Sequence, residues 1–229
     1  MAQAARIRLL VAGRRRLITE ALAEVLGARP VIQPVDGPVI LGANPVGGHP
    51  QFRARLERDQ PDVLLICYPA LAEDLGPGGA AALRARCPRV RVIVVAHACD
   101  EPTVAACVQF GAVGCLGEDS SIEELISALE QVHAGGVLVH PRLLLELVRA
   151  PAARVRGSAQ LQGGLTPRER DVLRALARGR STGEVAGEMS VSAHTVRAHV
   201  KHIMAKLGAR SKLEAVVSAI RAGLIDLAE

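Results

Sequence analysis

The chain has no apolar run of the length that a membrane-spanning helix requires. Such a helix needs roughly 20 consecutive apolar residues. Residues 1–16 are polar and lack the apolar core of a signal peptide. We therefore expect a cytoplasmic protein with no membrane partner.

Cysteine is scarce, and its spacing does not suggest pairing. The cysteines are odd in number, lie in hydrophobic settings and form no C-x-x-C motif. This pattern argues against a disulfide or zinc framework and predicts buried thiols without a bound metal. The five are Cys67, Cys87, Cys99, Cys107 and Cys115.

Two common nucleotide-binding signatures are missing. No G-x-G-x-x-G motif follows the first predicted strand, and no Walker P-loop occurs in the chain. We therefore expect neither an enzyme nor a cofactor.

Positive charge is concentrated toward the C-terminus. Residues 165–229 contain 11 lysines and arginines against 7 acidic residues, whereas residues 1–150 contain 15 against 16. A local excess of this kind is typical of a segment that contacts nucleic acid.

The segment 165–224 predicts a compact set of helices. Thr166, Pro167 and Glu169 form an N-cap, a first-turn proline and a capping-box acid, which together start a helix that stops at Gly179. Ser181 is the N-cap candidate of a short second helix.

A third helix is predicted over residues 193–207, with one aliphatic and one cationic face. Such a helix suits the major groove, where arginine reads guanine edges and lysine pairs with phosphates or bases. A merely solvated charged face is the alternative, but the two capped helices that precede it favour DNA binding. The aliphatic face comprises Val196, Val200, Ile203 and Leu207, and the cationic face comprises Arg197, Lys201, His202 and Lys206.

The motifs LTPRE, S-x-x-E-V-A and T-V-R-x-H-V stand in this order, and the segment closely resembles the LuxR/GerE-type helix-turn-helix of the NarL/FixJ response regulators. The resemblance implies double-stranded DNA as partner and a last helix, about residues 212–222, that pairs two subunits. The implied groove-facing residues are Thr195, Arg197, Ala198 and Lys201. Those implied near phosphates are Ser181, Thr182, His199, His202 and Lys206. The implied pairing stripe is Leu213, Val216, Val217 and Ile220, some of which must pack on their own domain.

Some positions depart from the family pattern. A lysine or asparagine is usual where this chain has Thr182 and Gly183, and a lysine or arginine is usual near Ala193 or His194. We expect a weaker grip on phosphates as a result.

The N-terminal half alternates short apolar runs with helical spacing. Continuous apolar runs are typical of parallel strands buried on both faces, and the βα alternation predicts a doubly wound, five-stranded parallel sheet. A Pro- and Gly-rich segment, 34–50, predicts an irregular loop with a weak strand near 39–41. The predicted strands are 7–12, 63–67 and 90–96, and the predicted helices are 17–26, 52–58, 80–86, 101–110 and 122–134.

Residues 61–121 resemble a response-regulator receiver, with PDVLLI, RVIVVA and FGAVGCLGEDSSIEELISAL in the places of its later strands and last helix. Yet six positions differ from a phosphorylated receiver. In a phosphorylated receiver these positions hold an acidic pair that binds Mg²⁺, the acceptor aspartate, a serine or threonine, a switch aromatic and a lysine. This chain has replaced all of them. The residues present are Gly13, Arg14, Cys67, Ala96, Cys115 and Glu118. We do not expect phosphorylation to act as the switch, and we hypothesise that Arg14 and Glu118 form an ion pair in the vacated site.

We therefore predict a receiver-like domain over residues 1–136, a connecting helix and linker over 137–164, and an all-α DNA-binding domain over 165–229. The protein would be a homodimeric transcriptional regulator that acts without aspartyl phosphorylation and contacts RNA polymerase if it is an activator. In inactive members of the family, docking of the two domains hides the recognition helix.

Several modes of control remain open from the sequence. The protein could be a fixed dimer, or a small ligand could bind where Gly13, Cys67, Ala96 and Cys115 replace the phosphorylation site. Cys67, Cys99 and Cys115 with His97 could instead sense redox state or a metal. A sigma-like RNA-polymerase factor is a further alternative, against which the parallel-sheet domain argues.

Overall fold

The computed structural model describes residues 6–41, 49–67, 79, 83, 85–97, 100–138, 164–209 and 211–225. Within these ranges no helix is both long and apolar enough to cross a membrane. The predicted helix over 80–86 lies mostly outside them, although residues 83, 85 and 86 are helical.

The N-terminal domain is built on a parallel sheet, as predicted. Its strand segments occupy five positions in the order β2-β1-β4-β5-β6, and β3 also pairs with β1. All of these pairings are parallel. The segments are β1 (Ile7–Gly13), β2 (Ile32–Pro34), β3 (Val39–Ile40), β4 (Val63–Cys67), β5 (Arg91–Ala96) and β6 (Gly114–Gly117).

The second strand position is divided into two pieces. β2 pairs with the start of β1, at Ile7, and β3 pairs with its end, at Gly13. The interruption contains Asp36 and Gly37, whose φ angles of 36° and 82° are left-handed and break the extended chain. The sequence predicted only the second piece, because a three-residue strand that ends in proline has no periodicity to detect.

Helices cover both faces of the sheet. Along β1 and β4 the side chains alternate between two apolar cores: Leu10 and Leu64 face one core, and Leu9 and Leu65 face the other. This alternation buries every residue of β4 and explains its continuous apolar run. The helices are α1 (Arg16–Gly27), α2 (Pro50–Asp59), α3 (Glu101–Phe110) and α4 (Ile122–His133).

The C-terminal domain, hereafter the reader, follows its predicted helix boundaries closely. Thr166 with Glu169 and Ser181 with Glu184 form complete capping boxes. Gly179 and Gly208, with φ of 80° and 63°, follow the first and third helices. The helices are α5 (Pro167–Ala177), α6 (Thr182–Glu188), α7 (Ala193–Leu207) and α8 (Lys212–Arg221).

The receiver, meaning the N-terminal domain, continues past the boundary predicted at 136. Leu138 forms a parallel bridge with Gly114, and its amide donates to the Val113 carbonyl. The rest of the predicted connecting segment, residues 139–163, lies outside the described ranges.

Candidate nucleic-acid interface and the vacated phosphorylation site

Helix α7 presents the side chains that the sequence assigned to the DNA groove. Ser192 caps the helix by accepting a hydrogen bond from the Thr195 amide at 3.0 Å. Val196, Val200 and Ile203 are buried against the reader core, as the aliphatic face requires. On the opposite side Arg197, Ala198, Lys201 and His202 are exposed, while Thr195 and His199 are half-buried.

Several residues assigned to phosphate contacts have partners inside the protein. Ser181 is mostly buried and caps α6. The Thr182 hydroxyl lies 3.5 Å from the Gly135 carbonyl oxygen of the receiver, to which it donates. The Lys206 ammonium lies 2.7 Å from a carboxylate oxygen of Glu169. Of the predicted phosphate-contacting residues, His202 and Lys206 are exposed, and the roles of all five stay predictions.

Glu169 connects the start of the reader to its recognition helix. Its carboxylate accepts from the Thr166 amide at 2.8 Å and from Lys206 at 2.7 Å. Burial alone would raise the pKa of Glu169, but these hydrogen bonds lower it below its ordinary value. Since the charged form is favoured, the ion pair fixes α7 against the capping box of α5.

The predicted pairing stripe of α8 is buried in the arrangement seen here. All four of its residues belong to the core of the reader, where they pack with residues of α5 and α7. α8 also contacts α3 of the receiver. They are not a free surface in this arrangement, and their role in pairing two subunits stays a prediction. The four are Leu213, Val216, Val217 and Ile220, none of them more than 8% exposed.

The receiver and the reader are docked against each other. Val104 of α3 and Val137 are buried in the same apolar cluster as the reader core. The Lys212 ammonium donates to the Gly135 carbonyl at 2.6 Å and lies 3.4 Å from the Thr182 hydroxyl. Glycine at 136 permits close backbone approach, because a Cβ there would lie 3.1 Å from the Gly179 carbonyl oxygen.

A cavity of about 500 Å³, hereafter the interdomain cavity, lies between the domains. The receiver contributes Arg91, at the start of β5, and the turn at Ala134 and Gly135. The reader contributes Arg197 and Lys201 from α7, among other residues. Arg197 and Lys201, two of the side chains predicted to enter the DNA groove, therefore face the receiver in this arrangement.

The sequence did not identify Arg91 or Lys212 as interface residues. Arg91 reads as the polar first residue of a buried strand, and Lys212 as the first residue of a helix. Only the docking of the two domains brings them together, so neither had a local signal.

The site of the missing acidic pair is filled by protein atoms. A Cβ at position 13 would overlap the Thr19 hydroxyl and lie 3.0 Å from the Cys67 carbonyl oxygen. Thr19 is fully buried, and its hydroxyl donates to the Arg15 carbonyl at 2.8 Å. There is therefore no room beside the end of β4 for a carboxylate side chain at residue 13.

The other vacated positions are also packed. Cys67, Ala96 and Cys115 are buried in the two cores of the receiver. The hypothesised pair between Arg14 and Glu118 is wrong: the Glu118 carboxylate instead pairs with His97 Nδ1 at 2.8 Å. His97 directly follows β5, so it reaches Glu118 at the same edge of the sheet, and the charge reversal in the sequence had suggested the wrong partner.

Restoring an acid at position 13 should destabilise the receiver rather than re-create a metal site. Gly13→Asp adds a side chain where Thr19 and Cys67 leave no space, and overpacking typically costs about 1–3 kcal/mol. Thermal unfolding would measure this, with Leu17→Asp as the control, because Leu17 is exposed at the start of the following helix. A Gly13→Asp protein of unchanged stability would contradict the packing described above.

The thiols of the described cysteines are structural. Cys67, Cys87, Cys107 and Cys115 are free and buried, and burial raises the pKa of Cys67 to about 12. A thiol that stays protonated is a poor nucleophile and metal ligand. Cys99, part of the predicted redox cluster, lies outside the described residues, within which no cluster of metal-binding side chains occurs.

Comparison with known proteins agrees with both halves of this architecture. Residues 164–219 match the family described as bacterial regulatory proteins, luxR family. The probable transcriptional regulatory protein NarL of Mycobacterium tuberculosis is 36% identical over 169 residues, covering 72% of this chain and 75% of the relative. The transcriptional regulatory protein LnrK of Bacillus subtilis is 24% identical over 225 residues, covering 95% of this chain and 98% of the relative.

The fold of nearly the whole chain also occurs in a solved structure of the two-component response regulator RcsB in complex with DNA. The TM-score is 0.52 at 16% identity, and the match covers 96% of this chain and 100% of that one. With its receiver-like sheet, its luxR-family helix-turn-helix and its identity to the mycobacterial relative, the chain belongs to the NarL/FixJ response regulators, which are DNA-binding transcriptional regulators.

Proposed function

We propose that this protein is a cytoplasmic, homodimeric regulator of transcription that binds DNA without aspartyl phosphorylation and is controlled by docking of its receiver onto its reader. The observation that carries the proposal is the packing at Gly13 and Cys67. A phosphorylated receiver needs hard oxygen ligands for Mg²⁺ beside an acceptor carboxylate. Here a buried thiol stands in place of the acceptor, and a threonine hydroxyl fills the adjacent space.

Docking gives the protein a way to control DNA binding without phosphate. Arg197 and Lys201 line a cavity of about 500 Å³ whose other wall is the receiver. The major groove is about 12 Å wide and belongs to a much larger duplex, so in the proposed mechanism the receiver wall hinders the approach of a duplex to these two exposed side chains. The apparent DNA affinity is then reduced in proportion to the fraction of molecules that are open.

The dimer and any contact with RNA polymerase are part of the same proposal. The RcsB structures include dimers bound to DNA, and a two-fold symmetric operator would be the counterpart of such a dimer here. Since the apolar stripe of α8 is used in the core, pairing in the docked form would have to use another surface. An activator would in addition contact RNA polymerase.

The redox alternative is less well supported, because a buried thiol with a raised pKa at Cys67 offers little thiolate for oxidation. Ligand control is better supported at the domain interface than at the vacated phosphorylation site, whose described residues are packed.

A phosphodonor should leave the protein unchanged. Incubation with acetyl phosphate and Mg²⁺ should give no phosphoryl adduct in intact mass spectra, because no acceptor carboxylate stands at Cys67. DNA affinity, measured after selection of a binding site with unmodified full-length protein, should change by less than about twofold. A relative that keeps an acceptor aspartate serves as the positive control. An adduct together with a rise in affinity would overturn phosphorylation independence, and an asymmetric selected site would argue against the dimer.

A further inference from the structure

Four cationic side chains from three elements and both domains converge on the interdomain cavity. Arg91 comes from β5, Arg197 and Lys201 from α7, and Lys212 from α8. None of the described residues that line the cavity is acidic. Within the described part of the chain, closing the domains therefore brings like charges together without a compensating carboxylate.

Two other cations of the described chain contrast with this cluster, because each has a carboxylate partner. Lys206 pairs with Glu169 at 2.7 Å, and Arg55 pairs with Asp59 at 2.6 Å. By comparison, none of the four cavity cations has a carboxylate partner among the described residues.

Lys212 shows the electrostatic consequence most directly. Its ammonium is held by two neutral oxygens, those of Gly135 and Thr182. Burial, followed by the positive charges of Arg91 and Arg197, lowers the pKa of Lys212. Buried charges in proteins are normally paired, so the docked form lacks an anion at this position.

We propose that the interdomain cavity binds a small polyanion carrying phosphate or carboxylate groups, which neutralises the four cations, holds the domains docked and so inhibits DNA binding. This inference rests on the proposed function, because it names the ligand class that acts on the docked form. The volume of about 500 Å³ falls in the range of small-molecule sites. Guanidinium groups bind both kinds of anion in a bidentate manner, and Arg91 and Arg197 supply one from each domain.

Thermodynamic linkage makes the polyanion and DNA antagonists. The polyanion contacts Arg91 and Arg197 together only in the docked form, whereas DNA needs Arg197 and Lys201 released from the receiver. Each ligand therefore weakens the other by the same factor. A polyanion that merely imitated the DNA backbone would also compete with DNA, but it would bind the reader alone and would not need Arg91.

A variant at Arg91 therefore distinguishes binding of a polyanion in the interdomain cavity from binding to the reader alone. Arg89 provides a matched control position. Arg89 is an exposed arginine two residues earlier that does not line the cavity, so Arg91→Gln and Arg89→Gln remove the same charge from the same domain. We would titrate inorganic pyrophosphate and, separately, citrate into the full-length proteins by calorimetry, without DNA and at constant ionic strength. Thermal unfolding of each variant would verify that it is folded.

The wild-type protein should bind at least one of the two probes with one-to-one stoichiometry. Arg91→Gln should weaken that binding by about tenfold or more, and Arg89→Gln by less than about twofold. The same probe should lower the DNA affinity of the wild type and have less effect on that of Arg91→Gln. Absence of saturable binding by both probes, or equal binding by the two variants, would overturn the proposal.

Failure of this inference can be distinguished from failure of the docking mechanism. If Val104→Glu, discussed below, raises DNA affinity but neither probe binds, then docking controls the reader and the anion proposal is wrong. If Val104→Glu has no effect on DNA affinity, the proposed control by docking is itself wrong, whatever the probes do.

Discussion

Replacing Val104 with glutamate should raise the DNA affinity of the full-length protein by about ten- to a hundredfold. Val104 lies on α3 of the receiver, is 1% exposed and packs into the apolar core of the reader. An unpaired carboxylate at this position would lose its hydration on docking, at a cost of several kcal/mol. The docked form would be destabilised, and the reader would spend more time free to bind DNA.

Gln109→Glu is the matched control, because it adds the same charge to an exposed position of the same helix. Fluorescence anisotropy with the selected operator would measure both variants, and thermal unfolding would detect damage to the receiver core. If Val104→Glu binds DNA no more tightly than Gln109→Glu and the wild type do, docking does not limit DNA binding.

Local chemistry made most of the reader predictable. The capping boxes at Thr166 and Ser181 fixed the starts of α5 and α6, and the boundaries predicted for α7 agree with the structure. In each case the side chain that accepts a backbone amide lies within three residues of it. The pattern and its structural cause are therefore both contained in a short segment of sequence.

The parallel sheet was predictable for a different reason. Strands buried on both faces, such as β4, leave a continuous apolar run, whereas the three-residue β2 does not. The substitutions at the phosphorylation site were also visible in the sequence. Their consequence was not, because the Thr19 hydroxyl that fills the space next to Gly13 comes from the following helix and carries no signal of that role.

Contacts between elements far apart in the chain could not be predicted from the sequence. His97 rather than Arg14 pairs with Glu118, because its position directly after β5 brings it to that side chain. The apolar stripe of α8 was predicted to pair two subunits while some of its residues packed on their own domain, and in the docked arrangement all four residues are buried in the cluster that contains the reader core. The convergence of Arg91 with Arg197 and Lys212 depends on docking, which no single segment specifies.

These observations together suggest how a receiver can keep a regulatory role after losing its phosphorylation chemistry. In the proposed mechanism, the equilibrium between docked and open forms remains, and only the ligand that shifts it has changed. Phosphorylation would shift such an equilibrium through new contacts of an added charge. Here the unpaired cations of the interdomain cavity would allow an external anion to shift it in the opposite direction, toward the docked form.

Replacing Arg197 or Lys201 with alanine should weaken DNA binding by about 1–3 kcal/mol, or roughly five- to 150-fold. Both side chains project from the exposed face of α7. They also line the interdomain cavity, so in the wild-type background their removal would relieve repulsion and favour the docked form. The measurement therefore belongs in the Val104→Glu background, where docking is already weakened and the loss reports contacts with DNA.

The pattern of the loss distinguishes the two kinds of contact. A side chain that reads a base should lose discrimination at one operator position, whereas one that binds a phosphate should weaken all sequences equally and reduce the salt dependence by about one charge. Arg170→Ala is the control for a general loss of charge, since Arg170 is exposed on α5, outside the recognition helix. If Arg170→Ala weakens binding as much as the α7 variants do, the reader contacts DNA through another face, and α7 is not its recognition helix.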